Sequence, residues 1–351
     1  MWNVLALLAL ACTEAQSSDT SRCSGDQFSG DDIIELQCLL DPDLQLTALI
    51  GHGESGYVWR GRMAHRDDEV IVKFHCCQEE CQNGKVCSGE SSMAELRYEC
   101  EAGFEAFQRA PDLVAACLDD PKMKPPKPFI VLKDVGSYFR AQSFVTDFLA
   151  DDQRSNHTLL RQVLRAVHAF LVPRDGRSLV HMDLTMANIM WDPKTLAVQL
   201  IDFSQVEFCK TLMWNRASPM PGRCIPKQLL KDLKKEVLHL ALLVDLYGSS
   251  EQKRCSKQVT RINFEKRRAQ RKTTLEYVTD ALQESCLVLI SPWTWSFIDW
   301  LSHLDRRILR QLDDAEANSS GIIFMNDIFQ DFDQPAWSFH DVSKLYDINE
   351  L

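Results

Sequence analysis

Hydrophobic and polar positions alternate in short runs over the first third of the chain. Leu46–Ile50 and Tyr57–Gly61 flank a glycine-rich turn and predict two strands joined by it. Glu69-Val70-Ile71-Val72-Lys73-Phe74 predicts a third strand, and Phe129-Ile130-Val131-Leu132 a later one running into Lys133-Asp134-Val135-Gly136. Between them Met93, Leu96, Cys100, Phe104 and Phe107 recur at helical spacing and predict a helix over 91–107. Further on the apolar periods lengthen. Helices are expected over 159–171, 275–289 and 293–312, with 237–244 as an apolar helix core. Apolar segments Ser178–Val180 and Ile189–Trp191 bracket a loop, and Asp202 closes the apolar run Leu196–Ile201 as the last residue of a strand would. Ile33–Leu44 reads as a short helix or lead-in segment. No internal repeat interrupts this plan.

Composition and charge narrow the choices. A chain of 351 residues that is 45% hydrophobic and 25% charged is long enough for two lobes with a substantial core. The net charge of −11 argues against a nucleic-acid partner, and the basic run Lys266–Lys272 reads as a solvated helix face. Val4–Ala11 followed by small and polar residues predicts a secretory signal cleaved after Ala15, although no Lys or Arg precedes it. No other stretch reaches the ~18 apolar residues of a membrane span, so the mature chain is expected to lack a transmembrane segment. Removal of Cys12 with the signal leaves twelve of the 13 cysteines, an even number that predicts disulfides in an oxidising compartment. His75, Cys76, Cys77, Cys81 and Cys87 offer a rival zinc site, but the paired knuckles of structural zinc are missing. Sequons at Asn156 and Asn318 permit N-glycans, and the tail Ile348-Asn349-Glu350-Leu351 is similar to ER-retention signals at its last two positions.

The chemistry concentrates in His181-Met182-Asp183-Leu184-Thr185-Met186-Ala187-Asn188. A carboxylate and an amide oxygen five positions apart share one side of a short loop, and Asp202 follows on the next apolar run. Such oxygens suit a phosphotransferase, in which one carboxylate orients the attacking hydroxyl and others hold Mg²⁺ on the phosphates. Taken singly, either Asp reads equally well as a turn residue. Upstream, Gly51, Gly53, Gly56 and Val58 form G-x-G-x-x-G-x-V between two predicted strands, where backbone N–H groups can approach phosphates. A dinucleotide-binding loop would be followed by a helix, whereas a strand follows here. Lys73 ends the next apolar run, and an ammonium placed there is costly unless it meets anions. Glu99 and Glu101 flank the apolar stripe of the following helix on opposite sides, so the partner of Lys73 stays open between them. Glu99 is favoured.

Glycine loop, Lys73, His181-x-Asp183 with Asn188, and Asp202-Phe203-Ser204 stand in one order, and over residues 46–250 the chain resembles the protein-kinase-like superfamily, as a divergent secretory-pathway member. The resemblance implies an α+β, bilobal fold with a small β-rich N-lobe at 46–136 and a larger α-rich C-lobe at 137–351. Residues 1–15 would be signal peptide, 16–45 an N-terminal segment, and 75–88 a Cys-rich insert that could staple the helix after Lys73. It further implies ATP with Mg²⁺ or Mn²⁺ as cofactors and a hydroxyl of a protein or glycan as acceptor. Asp183 would be the base, Lys73 and the glycine loop would hold phosphates, Glu99 would pair Lys73, and Asn188 with Asp202 would bind metal. Residues 133–136 would form the hinge that receives adenine. Three departures stand out: Met182 for Arg, Thr185 for Lys, and Ser204 for Gly. No clear A-P-E follows, which leaves the acceptor open, and none of the departures removes a ligand.

Two other readings compete. A catalytically silent kinase-fold scaffold would show no nucleotide effect at any metal concentration. A cytosolic small-molecule kinase would keep free thiols and bare Asn156 and Asn318.

Overall fold

The structure is a computed structural model. It describes residues 40–53, 56–64, 69–75, 90–119, 128–136, 139–140, 153–192, 194–213, 222–246, 250–259, 273–317 and 322–329. The expected signal segment, the Cys-rich insert beyond His75, the loop tip at 54–55, the basic run at 266–272, Asn318 and the C-terminal tail lie outside these residues. The chain is α+β and divides into two compact units. The first comprises the described parts of Met1–Pro111, Ala115–Ser137 and Asp202–Ser204; the second comprises Asp112–Val114, Tyr138–Ile201 and Gln205–Leu351.

The first unit is built on four antiparallel strands in sequential order: β1 (Leu44–Gly53), β2 (Gly56–Met63), β3 (Glu69–His75) and β4 (Phe129–Lys133). Leu44 therefore begins a strand and does not end a helix, because its side chain joins the buried face of the sheet. Alternation sorts β3 cleanly. Val70, Val72 and Phe74 enter an apolar cluster with Leu44, Trp59, Phe129 and Val131, while Ile71 and Lys73 point to the opposite face. That face carries helix α1 (Glu90–Arg109), whose Leu96 and Cys100 pack with Cys117 and Ile130. Gly56 turns the β1–β2 hairpin at φ +152°, and a Cβ there would drive into the Phe74 carbonyl.

In the second unit helix α2 (Gln153–Leu171) buries Leu160, Val163, Leu164, Val167 and Leu171 at helical spacing. Strand β6 (Ser178–Val180) pairs with β9 (Glu207–Cys209), and β7 (Ile189–Trp191) lies between β5 (Phe139–Arg140) and β8 (Val198–Leu200). A π-helical segment, Asp232–Val237, runs into α3 (Leu238–Asp245). The helix expected over 275–289 is broken: α4 (Thr274–Ala281) starts with a Thr273/Glu276 capping box and stops at Leu282, and a separate turn covers Glu284–Leu287. Helix α5 (Pro292–Ala317) buries Trp293, Phe297 and Trp300 in the core. It is tied down by Asp305, which accepts from Lys234 and from Thr274 N and Oγ1 at 2.8 and 2.7 Å.

Three disulfides join described cysteines: Cys100–Cys117, Cys209–Cys224 and Cys255–Cys286. They are compatible with a protein of an oxidising compartment. Among the described residues no helix is long and apolar enough to cross a membrane.

Candidate functional site

Two clusters of predicted residues form, one in each unit. In the first, β3 delivers Lys73 to the face covered by α1, and side-chain exposure there is only 7% for Lys73 and 5% for Glu99. Lys73 Nζ donates to Glu99 Oε1 at 2.8 Å and to Asp202 Oδ1 at 3.0 Å. Of the two acids left open, Glu99 reaches the ammonium, whereas Glu101 pairs with Arg97 on the exposed side of α1. Burial alone would lower the Lys73 pKa, but the charges and hydrogen bonds of Glu99 and Asp202 outweigh it and hold the ammonium above its ordinary value. Two of its three N–H groups are accounted for among the described residues. The third is available to an anion.

Asp202 sits two residues beyond the end of β8 at Leu200, not on the strand as expected. Its φ of 61° places it in the left-handed region, uncommon for a side-chain-bearing residue and a form of strain found at functional sites. Ser204 helps hold it: the hydroxyl donates to Asp202 Oδ1 at 2.8 Å. Phe203 is buried and lies where a Cβ on Gly103 of α1 would come within 3.6 Å of its ring. The serine after Phe203 thus adds a hydrogen bond to the acid.

The glycine loop divides by role. Gly61 packs against the Gln45 carbonyl and Gly56 is needed by the hairpin, but a Cβ on Gly51 would meet nothing within 4 Å among the described residues. No packing contact explains glycine there. Val58 pairs with Gly51 on one side and with Lys73 on the other, placing loop and lysine on adjacent strands, and Gly53 pairs with Gly56 at the hairpin end. At the end of β4, Asp134 accepts from Gly136 N at 2.7 Å and from Arg60 Nε at 3.0 Å, fixing the turn over 133–136.

In the second unit, β6 and β7 bracket the loop that carries Asp183 and Asn188. Asn188 is the last residue of a single 3-10 turn and is buried, and its Nδ2 donates to Asp183 O at 2.8 Å and Asp183 Oδ2 at 3.0 Å. Both amide hydrogens are thereby committed to Asp183, which turns the amide oxygen away from it. His181 is fully buried and its Nε2 bonds the Ile201 carbonyl at 3.1 Å, so this nitrogen carries the proton. Met182 adopts φ 66°.

Asp232 holds this loop from beneath, and the sequence offered no sign of it. Its Oδ2 accepts from the backbone N–H of His181 at 2.8 Å and of Met182 at 3.4 Å. Its Oδ1 has no hydrogen-bond partner among the described residues. Burial therefore outweighs the two N–H bonds and lifts its pKa from 3.8 to about 7. The folded protein keeps a proton that the unfolded chain releases between those values. Asp232 is thus expected to make stability fall as pH rises from about 4 to about 7, by up to ~1.4 kcal/mol per pH unit, and to have no further effect above that window. Urea unfolding across pH 4–8 checks this: Asp232→Asn should flatten that part of the profile, and an unchanged slope would remove the assignment.

Asp202 and Asn188 present hard oxygen atoms and fit a magnesium ion by donor type. No group of three or more His, Cys, Asp or Glu side chains gathers as a metal site among the described residues. Magnesium does not require one, because it keeps waters and phosphate oxygens as ligands alongside one or two protein oxygens. No protein-family model matches the chain, and no curated protein matches it.

Proposed function

We propose that this protein is a Mg·ATP-dependent phosphotransferase of the secretory pathway, with a bilobal kinase-like fold, acting on a hydroxyl of a protein or glycan. The observation that carries the proposal is the buried Lys73–Glu99 pair with Asp202 on the same ammonium. A buried ion pair contributes little to stability compared with apolar residues of the same volume, so its presence calls for another explanation. An ammonium held charged with one N–H to spare is what a nucleotide phosphate requires.

Each remaining residue has a role in this scheme. Asp183, oriented by Asn188, accepts the proton of the attacking hydroxyl. Asn188 and Asp202 would hold the magnesium ion, which neutralises charge on the phosphates. The backbone of Gly51, Gly53 and Gly56, beside Val58, lies along the phosphates, and the turn over 133–136 receives adenine. Asp232 and His181 keep the Asp183 loop in register. The three disulfides and the sequence signal support an oxidising lumen or the outside of the cell as its setting.

Thermal unfolding with ATP and Mg²⁺ or Mn²⁺ tests this. The transition is expected to rise with nucleotide and metal together, and Asp202→Ala should abolish the rise. No nucleotide effect at any metal concentration would instead favour a kinase-fold scaffold. Gly51→Ala is a finer probe: stability should stay within about 0.5 kcal/mol of the parent because the site is open, while ATP affinity drops about 10-fold. Isothermal titration with each protein checks that split.

A further inference from the structure

We infer that the Cys100–Cys117 disulfide is a positioning element for Glu99, locking helix α1 in the one rotation that keeps the carboxylate on Lys73. Cys100 is the residue next to Glu99, and its bond leads to Cys117 on the segment that flanks β4. That segment is itself fastened to the sheet: Leu118 N donates to Val131 O at 2.8 Å, Lys133 N to Ala116 O at 2.9 Å, and Val131 N to Asp119 Oδ2 at 2.5 Å. Strand β4 pairs with β3, Ile130 lying opposite Lys73. A short path, covalent as far as Cys117 and hydrogen-bonded from there, therefore runs from the helix turn that bears Glu99 to the strand beside the lysine.

The need for such a path follows from the energetics of the pair. Glu99 loses its hydration on entering this site, and attraction to Lys73 roughly offsets that loss without exceeding it by much. A helix free to roll would let Glu99 regain water at small cost. Among the described residues, the apolar cluster opposing that roll is Leu96, Cys100, Cys117 and Ile130 with Leu132 at the edge, and Ala102 and Ala106 of the helix are buried as well. Gly103, one turn further along the same face, offers Phe203 only a backbone surface. The covalent bond in the middle of this cluster adds a fixed tether to those noncovalent contacts.

The consequence for nucleotide binding rests on the phosphotransferase proposal, whereas the effect on Lys73 does not, so two readouts are taken. The first is the rate at which an acetylating reagent modifies Lys73 in the intact chain, measured by mass spectrometry. A buried, doubly paired ammonium reacts slowly. Cys100→Ala/Cys117→Ala should raise its labelling about 10-fold, and Cys255→Ala/Cys286→Ala, in the other unit, should leave it unchanged. Cys100→Val/Cys117→Ala refills the cluster without the tether and should label like the double alanine variant. The second readout is Mn·ATP affinity, expected to weaken about 10-fold in both tether-less variants and to stay unchanged in the Cys255→Ala/Cys286→Ala control.

Lys73 protection equal to the parent in either tether-less variant would overturn the inference, as would equal exposure in the Cys255/Cys286 control. Failure of both tether-less variants to fold would assign the bond to folding and likewise overturn it. If the parent binds no nucleotide, the phosphotransferase proposal falls, and Lys73 labelling still decides the positioning role.

Discussion

Asp183→Asn is expected to slow phosphotransfer about 10³-fold while leaving nucleotide affinity within a few-fold of the parent, the size of loss typical when a positioned general base is removed. The substitution is nearly isosteric, and Asn at 183 can still accept from Asn188 Nδ2, so the loop should keep its shape. What it loses is the ability to take a proton from the acceptor hydroxyl. The signature is a fall in kcat at constant nucleotide affinity and constant urea midpoint. A fall in affinity of the same size would instead make Asp183 a nucleotide or metal ligand.

Lys73→Met should act in the opposite order, on structure as much as on rate. It leaves Glu99, 5% exposed, without its counter-charge, and breaking a buried pair from one side costs about 3–5 kcal/mol. Nucleotide binding should become undetectable, because the Lys73 cation placed against Asp202 is gone. The double variant Lys73→Met/Glu99→Leu separates the two effects. Replacing both charges should recover most of the lost stability and none of the binding. Urea unfolding and titration on the same three proteins check this. Recovery of binding in the double variant would mean that Lys73 serves the helix alone.

The strands of the first unit were legible because the sheet has one buried face, and the period of Val70, Val72 and Phe74 left little freedom. Lys73 stood out for the same reason, as a charge inside an apolar run. The choice between Glu99 and Glu101 was not legible, since both border the apolar stripe and only the roll of α1 against β4 decides which is buried. Asp232 was hidden more deeply. It sits among Lys231, Lys234, Lys235 and Glu236, a pattern that reads as a solvated helix face. The π-helical turn there buries Asp232 and Lys234 together, and no periodicity of 3.6 anticipates that. The position of Asp202 beyond its strand and the pairing of cysteines depend on tertiary contacts that sequence spacing does not encode. The aromatics of α5 followed their spacing into the core.

The central proposal is that Asn188 and Asp202 serve one metal–nucleotide. A double-mutant cycle on Mn·ATP affinity tests it most directly. Asn188→Ala and Asp202→Ala should each weaken binding about 100-fold, and the double variant should lose little more than the worse single one, because the second ligand has nothing left to hold. Losses that multiply, or a single variant that binds as the parent does, would contradict the account.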